Sequence, residues 1–226
     1  MPGCVESGDI QPGTDALIIR RSETNLSPVP AAATTAPYLQ VSLCQYDAAG
    51  YRLDTTGFTL RQKDCTSTGA GSLTQVRRFL VHVYFVSPCN VYASSQTTCT
   101  SAADGGRPIP TLKRLELSSA GVLVMTPLVE GIQNMQIDYG LDVSGNGAVD
   151  AYSDCAACTV AQWASVVAVR INLLARNQEA TPVFVDEKTY TLGNALSDGP
   201  YSDAYKRRIY SQFVRLVNPA SRKETP

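Results

Sequence analysis

The sequence predicts a mainly β fold, built of two antiparallel sheets with long irregular loops and one or two short helices. Three observations lead there. Apolar residues recur with period 2 almost wherever a period can be read, the spacing of a half-buried strand. Helical spacing, with apolar residues three and four apart, is poor throughout. Stretches rich in Pro, Gly, Ser and Thr, chiefly 27–37 and 93–110, separate the periodic segments and cannot build a ladder.

Taken in order, Ala16–Arg20 is a short apolar run. Tyr38–Tyr46 alternates, with Leu39, Val41 and Leu43 on one face and Gln40 and Ser42 on the other. Phe79–Val86 does the same, turning Phe79, Val81, Val83 and Phe85 inward and leaving His82 and Tyr84 on the polar register. Leu112–Leu117, Val122–Met125, Met135–Tyr139, Val166–Leu174, Lys188–Leu192 and Arg207–Val217 complete a set of about nine strands. The helical candidates are Leu128–Asn134 and Thr159–Ala164, where Thr159 is placed to cap the first turn. No internal repeat is present, so these strands are expected in one domain spanning residues 1–226.

Composition narrows the class. With 44% hydrophobic and 17% charged residues and a net charge of -1, the chain is globular. Its basic pairs (Arg20 with Arg21, Arg77 with Arg78, Lys113 with Arg114, Lys206 to Arg208) are scattered and balanced by acids, so no nucleic-acid partner is expected. There is no apolar run of about 18 residues or more and no signal-peptide pattern at the start. The expectation is an exported domain cut from a longer precursor, with Met1 as an expression start.

Seven cysteines, several in polar, turn-rich stretches, favour an oxidising compartment. Cys89 and Cys99 bracket a loop directly after a strand, a natural place for a disulfide. Cys44 and Cys65 flank a hairpin whose turn is Asp47–Gly50, and form the second expected pair. Cys155 and Cys158 form a C-x-x-C, a pattern used for dithiol exchange, for half a zinc site, or for a tight structural disulfide. Redox exchange wants a βαβ setting and zinc wants further ligands, and neither is visible, so the structural disulfide is preferred. Cys4 is left as the unpaired thiol.

Catalytic patterns are missing: no G-x-S-x-G, P-loop or G-x-G-x-x-G occurs. The single histidine, His82, has no Ser, Cys or carboxylate motif beside it and reads as a strand-surface residue. No enzyme is expected and no cofactor is required. One polar cluster could take a hard cation. Asp142, Ser144, Asn146 and Asp150 fall at positions 1, 3, 5 and 9 of an EF-hand-like loop, with Gly147 at position 6, so alternate oxygens could turn toward one calcium ion. The loop is short of charge, and position 12 is Ser153 rather than Glu. An Asn-Gly turn after Met135–Tyr139 explains the same residues.

From Thr111 to Asn218 the chain resembles the C-terminal part of PilW-type minor pilins of the type IV pilus system. The segments that carry the likeness are TLKRLEL at Thr111–Leu117, PLVEGIQNMQIDYGLD at Pro127–Asp142, WASVVAVRINLLAR at Trp163–Arg176, TYTLG at Thr189–Gly193 and YKRRIYSQFVRLVNP at Tyr205–Pro219. Weaker matches are GTDALIIRR at Gly13–Arg21 and RRFLVHVYFVSPC at Arg77–Cys89. Their succession, rather than any one of them, is specific. The resemblance implies an α+β pilin-like ectodomain whose apolar N-terminal helix, absent from this chain, anchors it in the inner membrane, with the ectodomain in the periplasm and later at the pilus tip or cell surface. It further implies other minor pilins, the major pilin and a tip adhesin as partners, and a more aspartate-rich calcium loop at the position of 142–150. Two rivals stand beside it. One is a periplasmic thiol-disulfide protein using Cys155 and Cys158. The other is a secreted ligand-binding β-sandwich or adhesin domain, for which Tyr92 in the loop between Cys89 and Cys99 is the only hint.

Overall fold

A computed structural model describes residues 5, 7–194 and 196–221, so Cys4 lies outside the described residues. The strands in chain order are β1 (Leu17–Ser22), β2 (Tyr38–Val41), β3 (Tyr51–Asp54), β4 (Val76–Ser87), β5 (Thr111–Leu117), β6 (Leu123–Glu130), β7 (Ile132–Leu141), β8 (Ala151–Ser153), β9 (Val166–Arg176), β10 (Tyr190–Leu192), β11 (Leu196–Asp198) and β12 (Arg207–Arg215). Three short helices accompany them: α1 (Ala103–Gly106), α2 (Val160–Ala164) and α3 (Val217–Ser221). The chain is mainly β with antiparallel sheets. Two sheets are large, and a two-stranded ribbon, β10 with β11, is added to them. That ribbon forms because Lys188–Leu192 pairs locally across a Gly193 turn instead of joining a large sheet.

Two compact units are distinguished, one from Leu17–Tyr84 and Arg114–Thr126, the other from Met1–Ala16, Phe85–Lys113 and Pro127–Pro226. In the first, the sheet runs β3-β2-β4-β5-β6, with β1 also paired to β4. The β2–β3 hairpin is shorter than the alternation of Tyr38–Tyr46 suggests. The Ser42 N–H still reaches the Gly50 carbonyl (2.9 Å), but the Leu43 N–H turns to the Arg61 carbonyl (3.0 Å), where the Asp47 carboxylate takes hydrogen bonds from the Ser42 hydroxyl (2.7 Å), the Arg61 N–H (2.8 Å) and Arg61 Nε (2.9 Å). Gln40, expected on a polar face, is fully buried. Its amide donates to the Leu60 and Thr74 carbonyls and accepts the Leu60 N–H, which satisfies a group that would otherwise be costly to bury.

His82 is a correction to the sequence reading. It is only 9% exposed, its ring set between the Glu116 carboxylate and the Tyr84 ring, which meets it edge-on with centroids 6.1 Å apart. Its Nε2–H donates to Glu116 (3.0 Å) while Nδ1 faces the Tyr84 hydroxyl (3.4 Å), an arrangement that suits the neutral ring. Burial outweighs the Glu116 charge and pushes the imidazole below its ordinary value.

In the second unit the sheet order is β12-β9-β7-β8. Val167, Leu174, Ile137 and Met135 are buried on its middle strands, and each such side chain stabilises by about 1.5–3 kcal/mol relative to exposure. Leu128–Asn134, a helical candidate by sequence, is the end of β6 and the start of β7 joined at Gly131, because the ladder from Ile132 to β9 holds it extended. Thr159–Ala164 is α2, with Thr159 as its N-cap and Gln162 closing a reciprocal capping box. The 93–110 stretch is irregular but pinned: Asp104 accepts N–H bonds from Asn90 (2.9 Å), Val91 (2.7 Å) and Ile109 (2.8 Å).

Candidate functional site

The six cysteines singled out above stand in three bonded pairs. Cys44 and Cys65 lie 1.98 Å apart at sulfur, Cys89 and Cys99 2.00 Å, and Cys155 and Cys158 2.09 Å. Cys89 is fully buried and is separated from its partner by 10 positions, a loop whose closure stabilises by about 3 kcal/mol in the chain-entropy account. Replacing Cys89 and Cys99 together by serine is therefore expected to lower unfolding free energy by about 3 kcal/mol. Urea denaturation of the oxidised protein and the variant measures it, and identical midpoints would show that the bond is not formed.

Cys155 follows β8 and precedes α2. Its N–H donates to the Ser153 hydroxyl (3.1 Å), and the Cys158 N–H donates to the Cys155 carbonyl (3.3 Å), so the disulfide closes a turn already held by its own backbone. Dithiol exchange would require a thiol whose pKa is lowered by a helix N-terminus. Here α2 has only five residues, and the Thr159 hydroxyl already accepts its Gln162 N–H (3.3 Å). The arrangement suits a structural cross-link.

The 142–150 loop folds around Asp142, which is 2% exposed. Its Oδ1 accepts the N–H groups of Gly145 (2.7 Å) and Asn146 (3.1 Å) and its Oδ2 that of Gly147 (2.9 Å). Asp150 accepts the Ser144 N–H (2.8 Å) and hydroxyl (3.2 Å), which hold its carboxyl below the usual carboxylate range. Asn146 accepts from the Ala148 N–H (2.8 Å). The named oxygens are thus turned toward backbone donors of their own loop. No group of three or more His, Cys, Asp or Glu side chains that could hold a metal occurs among the described residues. A calcium ion, which seeks six to eight oxygens, would have to compete with these N–H bonds for the same side chains. Millimolar calcium is expected to leave the thermal midpoint of chelator-treated protein unchanged. A rise of several degrees, reversed by EDTA, would show that the loop opens to the cation.

The structure also assembles a polar cluster that the period-2 reading did not anticipate. Asn134, Gln136 and Asp138 alternate along β7, and register places them beside Leu174, Asn172 and Arg170 of β9. Asp138, 1% exposed, accepts from Arg170 Nε (2.7 Å) and Nη2 (2.6 Å), Asn172 Nδ2 (3.1 Å) and the Asn194 N–H (3.0 Å). Asn194 is brought there by the ribbon turn. Gly193 adopts φ +64, and a Cβ on it would overlap the Asp138 carboxylate, so only glycine lets the turn approach so closely. Beside this lies a second network. Arg207, its side chain wholly buried, bonds Asp186 (2.9 Å, also wholly buried) and Asp203 (2.6 Å), while the Tyr201 ring lies 3.7 Å from the guanidinium. The Tyr190 hydroxyl donates to Asp186 (3.0 Å). The spacing N-x-Q-x-D in β7 was the available signal, since a polar alternation opposite an apolar one also describes a strand buried on both faces. Tyr92, by contrast, is half-buried with the Lys113 ammonium 4.9 Å from its ring centre.

No reactive constellation emerges from these groups: their carboxylates are paired with guanidinium, amide or N–H donors, as in structural networks. Among the described residues no helix is long and apolar enough to cross a membrane. A family model described as type IV pilus-assembly protein W, PilW, matches residues 92–218, which carry β5 through β12 and the polar cluster. No curated protein and no solved structure matches the chain. Because the match takes in over half the sequence, the chain belongs to the PilW family of type IV pilus-assembly proteins.

Proposed function

We propose that this chain is a minor pilin that helps to initiate type IV pilus assembly and sits at or near the pilus tip, in contact with other minor pilins, the major pilin and a tip adhesin. The observation that carries the reading is the family match across the entire four-stranded sheet and its ribbon. A β scaffold cross-linked by three disulfides, with polar networks closed on themselves, supports it: such a body presents loops and strand edges to partners and requires no reactive centre. In this reading the ectodomain is pilin-like, of the α+β type, and is held at the inner membrane by an apolar N-terminal helix of the kind the resemblance implies. Deleting the gene is expected to abolish or sharply reduce surface pili, counted by electron microscopy and in the sheared fraction, with recovery when the full-length gene is returned. Normal piliation in the deletion strain would overturn the role.

A further inference from the structure

The four-stranded sheet ends on β12, and that edge is unlike the others. Sheets normally blunt their edges with short strands, prolines or charges. β8 is three residues long, β3 is four residues long and carries the Arg52–Asp54 pair, β6 contains Pro127, and β1 carries adjacent Arg20 and Arg21. β12 runs for nine residues without proline, and its register with β9 is continuous from Arg207↔Arg176 to Arg215↔Ala168. Every residue from Tyr210 to Arg215 is exposed, including Tyr210 (54%) and Phe213 (55%).

Hydrogen bonding shows which backbone groups point outward. The Leu216 N–H donates to the Val167 carbonyl (2.8 Å) at one end and the Asn177 N–H to the Lys206 carbonyl (3.1 Å) at the other. Strand alternation then directs the N–H and C=O of Arg208, Tyr210, Gln212 and Val214 toward β9, and those of Ile209, Ser211, Phe213 and Arg215 away from it. The Gln212 side chain folds onto the outward Phe213 carbonyl (3.1 Å), a contact that an incoming strand would replace.

We propose that the outer edge of β12, which no strand pairs among the described residues, docks an extended, acidic-flanked segment of a different polypeptide, which adds to the sheet as a fifth strand. Main-chain bonds to Ser211 and Phe213 would supply register, and the exposed Tyr210, Phe213 and Val214 would pair with apolar side chains of the incoming strand. Charge decides the kind of partner. Lys206 and Arg208 stand at one end of β12 and Arg215 at the other. Two copies paired antiparallel about Ser211 would bring the Arg215 end of each onto the Lys206–Arg208 end of its mate, like charge against like, which disfavours self-pairing. A strand with acids beside the Lys206–Arg208 end meets complementary charge there.

The test uses the purified chain and two capped valine–threonine peptides, one ending in aspartates and the other in lysines. The aspartate peptide is expected to slow hydrogen exchange at the Ser211 and Phe213 N–H groups and to bind at least about tenfold more tightly than the lysine peptide. Ser211→Pro removes an outward donor and no main-chain bond to β9, and Ser211→Ala, which loses the same hydroxyl bond to Asn172 (2.7 Å) but keeps the N–H, is its control; the proline variant should weaken that binding at least about tenfold relative to the alanine one. Should the proline variant unfold, Arg208→Glu with Arg215→Glu serves instead, and should reverse the peptide preference. Equal binding of the two peptides, no protection at Ser211 and Phe213, or a dimer in sedimentation that the charge reversal strengthens or leaves unchanged would overturn the proposal. The assay reads the edge in the isolated chain, so its failure leaves the role in pilus assembly standing.

Discussion

Replacing Arg207 by methionine is expected to cost about 3–5 kcal/mol of unfolding free energy. The reason is what remains behind. Asp186 is wholly buried, and the other donors to its carboxylate, the Tyr190 hydroxyl at 3.0 Å and the Lys188 backbone N–H at 3.4 Å, are neutral. Without the guanidinium a carboxylate charge is left in a low-dielectric site, whereas Asp203, one-third exposed, can turn to water. Adding Asp186→Asn to the Arg207→Met variant is therefore expected to restore part of the loss, because it removes the stranded charge. If the double variant is no more stable than the single one, the loss comes from packing against Tyr201 instead.

The same network sets an acid dependence. The hydrogen bonds from Arg207 are the first cause holding Asp203 below its ordinary 3.8. A carboxylate depressed by folding contributes stability that is intact above that value and is lost as pH falls toward the lower folded-state value. The gap between the parent protein and Arg207→Met should accordingly narrow below about pH 4. Paired urea titrations at neutral and acid pH measure both the cost and its narrowing.

Asp138→Ala is expected to lose about 3 kcal/mol. Four donors converge on this carboxylate, from Arg170, Asn172 and the Asn194 backbone. Arg170 is one-fifth exposed and can recover some solvation, which makes the cost smaller than at Arg207. The Asn172 amide is buried and cannot. Because Asn194 and Gly193 form the ribbon turn, hydrogen exchange across β10 and β11 should quicken in Asp138→Ala while exchange in β2 and β3 stays as it was. Uniform quickening in both units would show that Asp138 acts on the whole chain rather than on the ribbon. Asp138→Asn, which keeps an acceptor for the Asn194 N–H, should lose less than the alanine variant.

Much of this architecture could be read in advance, and the exceptions are instructive. Alternation located β4, β5, β7, β9 and β12, whose lengths allow several periods to be counted. It missed β3, β8 and β11, each three or four residues long, where no period can establish itself. Leu128–Asn134 looked helical because its apolar residues are spaced by chance at three and four, and only pairing with β9 reveals an extended chain. His82 looked solvent-facing because alternation assigns faces without knowing whether the second face is covered. The acidic loop presented calcium-like spacing. Spacing says which oxygens can converge, and in the fold the Asp142 oxygens do converge, on three N–H groups of the same loop, with the calcium titration as the test of whether a cation joins them.

What the sequence determined by itself was local: the strand periods, the turn residues, the cap at Thr159, and a succession of segments specific enough to point to the PilW family. Those depend on neighbours a few positions apart, whose geometry a strand or turn dictates. What only the tertiary structure decided was the set of meetings between distant positions. Asp138 with Asn194, Arg207 with Asp186, His82 with Glu116 and the place of β12 at the end of its sheet all follow from sheet order. Sheet order depends on which surfaces bury best against one another once the chain has collapsed, and no window of adjacent residues contains that comparison.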